Sequence, residues 1–174
     1  MGVLRRVGSL HAVIVTFTLI TAVQMGLTGL GNITDFETNH QFVIHVLSMD
    51  TTFKTTMWRA ISSPAVATVT YVAIIVWELA AAALLFAAAF MWMRPGTDRH
   101  RETARQLSSA GWLMWVVLFG GGFVAIGNEW FSMWQSETWN GLQAAFQNLV
   151  IAAIGLILVH LRPARTAVEQ CEAA

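Results

Sequence analysis

Four stretches of this chain run for about 20 residues or more with almost no charge. Residues 10–31 contain no Asp, Glu, Lys or Arg; 65–93 contain one, Glu78; 107–128 and 143–161 contain none. About 20 apolar residues are what a helix needs to cross a hydrocarbon layer of roughly 30 Å. The buried helices of a soluble bundle keep a polar face at helical spacing, and these four do not. Charged residues make up 11% of the chain and hydrophobic ones 56%, whereas a soluble domain is roughly a quarter charged. The expected fold class is therefore all-α: a polytopic membrane protein with four transmembrane helices in a bundle, a single domain over 1–174. Ten basic and ten acidic residues cancel, which excludes a basic nucleic-acid binder and leaves the lipid bilayer as the first partner.

The arginines set the expected orientation. Arg5 and Arg6 precede the first span, Arg94, Arg99, Arg101 and Arg105 lie between the second and third, and Arg162 and Arg165 follow the fourth. The opposite side carries only Lys54 and Arg59. The positive-inside rule then places the N- and C-termini, with the tail 162–174, in the cytoplasm and the loops 32–64 and 129–142 outside. The N-terminal run resembles a signal peptide but is longer than the usual h-region and has no small-x-small site after it, so it reads as an uncleaved span. Cys171 is the single cysteine, so no disulfide within one chain braces the outer loops. The last four residues imitate a prenylation box, with Glu172 where an aliphatic residue is wanted.

A loop as long as 32–64 needs structure of its own, and short interfacial helices are expected in both outer loops. Thr38 with Gln41 fits a capping box, followed by an apolar stripe of Phe42, Val43, Val46 and Leu47 facing the membrane surface. Thr55 or Thr56 caps a second turn with Trp58 and Ile61. Ser63 and Pro64 suit the cap and first position of the next helix. The alanines at 80–83 and 87–89 thin one helix surface and favour close helix approach. In the second loop Trp130, Trp134 and Trp139 fit an interfacial belt, and Asn140 with Gln143 fits a cap on the last helix.

These segments resemble a known family. Gln41-Phe42-Val43-Ile44-His45-Val46-Leu47-Ser48-Met49-Asp50-Thr51-Thr52-Phe53, Trp58-Arg59-Ala60-Ile61 before Pro64, Trp77-Glu78-Leu79, and Gly127-Asn128-Glu129-Trp130-Phe131 with Met133-Trp134-Gln135-Ser136 and Trp139-Asn140-Gly141 are similar to the bacterial small integral membrane proteins catalogued as domain of unknown function 2165. Asn128 stands where the pattern has glycine. The resemblance covers residues 5–161. It implies a multi-pass protein of the bacterial inner (cytoplasmic) membrane and no particular activity.

Glu78 is the sharpest candidate, because a carboxylate in a membrane span must be paired, protonated or turned to the bundle interior. Expected partners are carbonyls near Gly120–Gly122, Gln24, and Tyr71 two turns away on the same face. Outside, His45, Met49, Asp50, Glu129, Trp130, Trp134 and Trp139 are candidates for a ligand-binding cap, with Glu129 and Asp50 beneath the tryptophans. His40, His45, Met49 and Asp50 are the candidate metal ligands; His45 and Met49 are spaced i, i+4, and a His/Met pair suits copper. His11 and His160, at matching depth, are a possible haem pair. There is no Ser/His/Asp set, no HExxH motif and no phosphate loop, so no enzyme and no cofactor is expected. The favoured expectation is an accessory or structural subunit of a larger membrane assembly, or a homo-oligomer. The alternatives are a proton or cation relay centred on Glu78 and an outward-facing metal or small-molecule binding protein.

Overall fold

A computed structural model describes residues 2–161, without the side chains of Arg5 and Arg6. Arg162, Arg165 and Cys171 lie outside the described residues. The described chain is helical: α1 (Gly2–Val7), α2 (Leu10–Thr34), α3 (Phe36–Ser48), α4 (Pro64–Met93), α5 (Asp98–Trp115) continuing as a π-helix over Val116–Trp130, and α6 (Leu142–His160). Short 3-10 turns occupy Met57–Arg59 and Met133–Gln135. Four helices, α2, α4, α5 with its π-helical continuation, and α6, are long and apolar enough to cross a membrane. They pack together with α4 between α2 and α5, and α6 against α5.

The bounds depart from expectation where polarity was mistaken for loop. The third span begins at Asp98, nine residues early, because 98–106 is a polar run of helix formers with no breaker. Hydropathy marks burial and not helicity. The first span continues to Thr34 and carries Asn32 into the bundle. Asp35 alone separates it from α3, so α3 starts too early for the expected capping box. Instead Thr38 Oγ1 donates to Asp35 Oδ1 at 2.8 Å and Gln41 Nε2 to Glu37 Oε1 at 2.5 Å. The second turn of this loop is only the 3-10 piece, with no side-chain cap from Thr56. The Ser63 cap forms as expected, accepting from Val66 N–H, with Pro64 in the first turn. Asn140 Oδ1 accepts from Leu142 N–H at 3.0 Å, with Gly141 in the cap position.

The face of α3 that was expected to meet lipid is turned inward. Val43 and Leu47 are buried with Ala67, Tyr71 and Ile75 of α4, so α3 lies as a cap against the first turns of α4. Its end of the bundle is called the cap end below; the other is the arginine end.

Toward the arginine end the bundle is tightly filled. Ala81, Ala88 and Ala89 of α4 are buried, and a Cβ at Gly111 would lie 2.7 Å from the Leu85 side chain. Trp112 and Trp115 are fully buried. The indole of Trp112 seats against Gly155 of α6, where any Cβ would come within 2.3 Å of the ring. Trp92 Nε1 donates to Ser108 Oγ at 3.0 Å, and Trp77 Nε1 to the Met114 carbonyl at 2.8 Å. Dispersion between closely fitted small and aromatic residues is the expected source of cohesion in a lipid solvent.

Candidate functional site

Toward the cap end the interior loosens. A cavity of about 270 Å³ lies among α2, α3, α4, the π-helical stretch and α6. Its polar lining comes from Thr28, Asn32, Asn39, Tyr71, Glu78 and Asn148, and its aromatic lining from Phe42, Trp115, Phe119 and Phe123. Thr28, Asn39 and Ala144 are exposed, which puts the mouth where α2, α3 and α6 meet. Gly141 allows Phe42 to close over one side, since a Cβ there would sit 2.9 Å from its ring. On α2, Gln24 Nε2 donates to Asn148 Oδ1 of α6 at 3.1 Å.

Glu78 is buried, and a partner within the chain reaches it. Asn32 Nδ2 donates to Glu78 Oε2 at 2.7 Å, and Asn39 Nδ2 in turn donates to Asn32 Oδ1 at 2.8 Å. The Tyr71 hydroxyl donates to the Asn32 carbonyl at 3.0 Å. This amide chain ends with an N–H aimed at the carboxylate, the polarity that suits an anion. Trp115, fully buried in the cavity wall, has an indole N–H with no partner among the described residues. Trp115, Phe119 and Phe123 form a ladder, with ring centroids 5.9 and 5.6 Å apart.

Two expected partners of Glu78 are corrected. Gln24 is turned to Asn148. Among the described residues no carbonyl of Gly120–Gly122 bonds Glu78, whose partner is Asn32 Nδ2; a Cβ at Gly120 would face Leu149 of α6. Tyr71 does belong to the cluster, through Asn32. Sequence reasoning missed Asn32, Asn39 and Asn148. The signal was present, against the reading that no span keeps a polar face: Thr21, Gln24, Thr28 and Asn32 follow one another at helical spacing along α2.

The outer candidates divide into separate groups. His45 Nδ1 lies 2.6 Å from Asp50 Oδ2, and the imidazole stacks on Trp139 at 4.4 Å and 9°. Lys54 Nζ donates to the Asp50 carbonyl. Met49 is not on the helix face of His45. It ends α3 in the left-handed region, φ 54°, and is fully buried. His40 bonds Thr68 Oγ1 at 3.0 Å and stacks near Tyr71. Asp50 and Glu129 are exposed instead of lying under the tryptophans, and Glu129 accepts from Asn128 Nδ2 at 2.8 Å. Trp130 and Trp58 flank the Arg59 guanidinium at 4.9 and 5.1 Å, and Trp134 meets Phe53 edge-on. No three His, Cys, Asp or Glu residues converge among the described residues. The histidines weighed as a haem pair have different neighbours: His11 meets Trp92, and His160 meets Arg105 and Ser109.

Residues 10–162 match the family profile described as predicted small integral membrane protein (DUF2165). The chain belongs to that family. It is thus an integral, multi-pass protein that sits in a lipid bilayer. No curated protein and no solved structure matches it. The Gln41–Phe53 and Trp77–Leu79 segments that carried the resemblance contribute Phe42, Val43 and Glu78 to the cavity wall.

Proposed function

We propose that this family member is a non-enzymatic membrane protein that binds a small molecule in the Glu78 cavity. The observation that carries the reading is the combination of a buried carboxylate, a converging set of amide and hydroxyl groups, and an open mouth toward the cap end of a bundle whose arginine end is filled. A concave, mostly apolar pocket with a few convergent polar groups is the usual form of such a site. The volume, slightly under the range of about 300–1,000 Å³ common for drug-sized ligands, suits a small one.

The same observations reweigh the other two readings. The accessory-subunit reading leaned on a lone intramembrane acid in need of a neighbour, and Asn32 supplies that neighbour within the chain. A relay needs a route past Glu78, and the buried Trp112 and Leu85 fill the bundle on its arginine side. Binding in one compartment of the bundle fits better than passage through it.

The test is a thermal-unfolding screen of small amphipathic compounds on the purified protein in lipid nanodiscs. A binding protein shows concentration-dependent stabilisation that disappears in Ala144→Trp, which plugs the mouth. If no compound stabilises the wild type more than that variant, the reading falls.

A further inference from the structure

The lining of the cavity specifies a charge as well as a size. Among the described residues that line it, Glu78 is the only carboxylic acid, and there is no Lys, Arg or His. The rest of the wall is neutral amide, hydroxyl, aliphatic and aromatic. Phe42, Trp115, Phe119 and Phe123 present rings from two elements: α3, and the continuous helix formed by the end of α5 and the π-helical stretch.

We infer that the ligand is a small organic cation, an ammonium with an apolar or aromatic body, seated between the Glu78 carboxylate and the aromatic wall. The inference rests on the proposal that the cavity is a binding site and names the class of ligand it takes. Three arguments lead there. A cation neutralises a buried carboxylate that otherwise has a single hydrogen-bond donor. Aromatic faces attract ammonium groups, most strongly where water is excluded. A bare metal ion is a poorer match, because calcium and magnesium require about six or more oxygen ligands and much of this wall is aromatic and aliphatic carbon. The mouth also fits. Its exposed residues, Thr28, Asn39 and Ala144, lie on the flank of the bundle between α2 and α6 as well as under α3. An amphipathic cation gathers at the membrane interface, with its charge in the headgroups and its body in the acyl region, and so arrives at such a flank already oriented.

The experiment uses three near-isosteric probes, 2-phenylethylammonium, 2-phenylethanol and phenylacetate, titrated onto the full chain in nanodiscs and followed by tryptophan fluorescence and calorimetry. The expected result is saturable binding of the ammonium, with the alcohol weaker by about tenfold or more and the acid not bound. Glu78→Gln, which keeps an acceptor for Asn32, should reduce ammonium affinity by about tenfold or more and bring it level with the alcohol. Ala144→Trp leaves Glu78 untouched and should abolish binding of both. Equal binding of ammonium and alcohol, unchanged in Glu78→Gln but lost in Ala144→Trp, overturns the cation inference and leaves the binding site standing. No binding of any probe to a folded, monodisperse wild type overturns the inference; failure of the wider compound screen as well removes the binding site itself.

Discussion

The two halves of the bundle solve the same problem in opposite ways. At the arginine end, alanine and glycine let Trp112 and Leu85 close the interior. At the cap end, the same helices diverge around a cavity and meet through amides: Asn32 to Glu78, Asn39 to Asn32, Gln24 to Asn148. The first half depends on volume, and its buried core holds no charged side chain among the described residues. The second depends on hydrogen-bond complementarity and has space to spare. On the proposed function, cohesion and recognition are segregated along the bundle axis, and a variant in one half should not resemble a variant in the other.

Gly155→Leu offers the sharpest way to break this contrast. The new side chain must displace the Trp112 indole from a site where even a Cβ comes within 2.3 Å. Overpacking of this kind should cost about 3 kcal/mol, read as a large fall in unfolding temperature in nanodiscs. A shift no greater than that of Ala144→Trp, at the cavity mouth, would show that the packed half is softer than described.

Asn32→Leu comes next. It leaves the Glu78 carboxylate buried without its donor, at a cost of about 2 kcal/mol, whereas Glu78→Gln, retaining an acceptor, should cost under about 1 kcal/mol. Adding Glu78→Leu to Asn32→Leu should recover stability, because a pair removed together leaves no orphan charge. A double variant no more stable than Asn32→Leu alone would place the importance of Asn32 elsewhere.

Gln24→Leu removes the α2–α6 amide bond. Interhelical hydrogen bonds in membranes average roughly 0.6 kcal/mol, so a loss of about that size is expected, with equal unfolding temperatures as the contrary result. The smallest effect belongs to the outer aromatics. Trp134, half exposed and touching Phe53 by an edge, should tolerate Ala with a change within about 0.5 kcal/mol. A larger one would mean that the second outer loop holds the cap.

How far the sequence disclosed this arrangement follows the same division. Apolar length and missing charge identify the four spans because the bilayer demands them, and the alanine runs point to close approach because nothing else fits. Glu78 stands out because a carboxylate in such a run is rare. Its partner did not, because Asn32 lies one residue beyond the boundary that hydropathy draws at Gly31, with only Ile33 apolar after it in that helix. Residues 98–106 were lost for the same reason. His45 and Asp50 meet because a short turn folds the chain back, which no periodicity announces, and Met49 leaves their face because it takes the left-handed conformation at the end of α3. The π-helix has no compositional mark except its triple glycine, read instead as a source of carbonyl partners for Glu78.

That π-helical stretch has a further consequence. Such segments are rare, usually a single turn, and frequent at functional sites; here one runs over fifteen residues, Val116–Trp130, and ends with Phe131 N–H on the Ile126 carbonyl at 3.0 Å. A coil closed five residues apart sets Phe119 and Phe123 at a phase that an α-helix would not. The stretch therefore works like a vernier on the cavity wall. Deleting one residue at Gly121, whose Cβ position faces open space, would rewind it toward α-helix and swing a different side chain inward while the span stayed a span. Relatives that differ by one residue in this segment would then share a fold and a carboxylate yet select different molecules, with the change written in the gearing of a helix and not in any residue that touches the ligand.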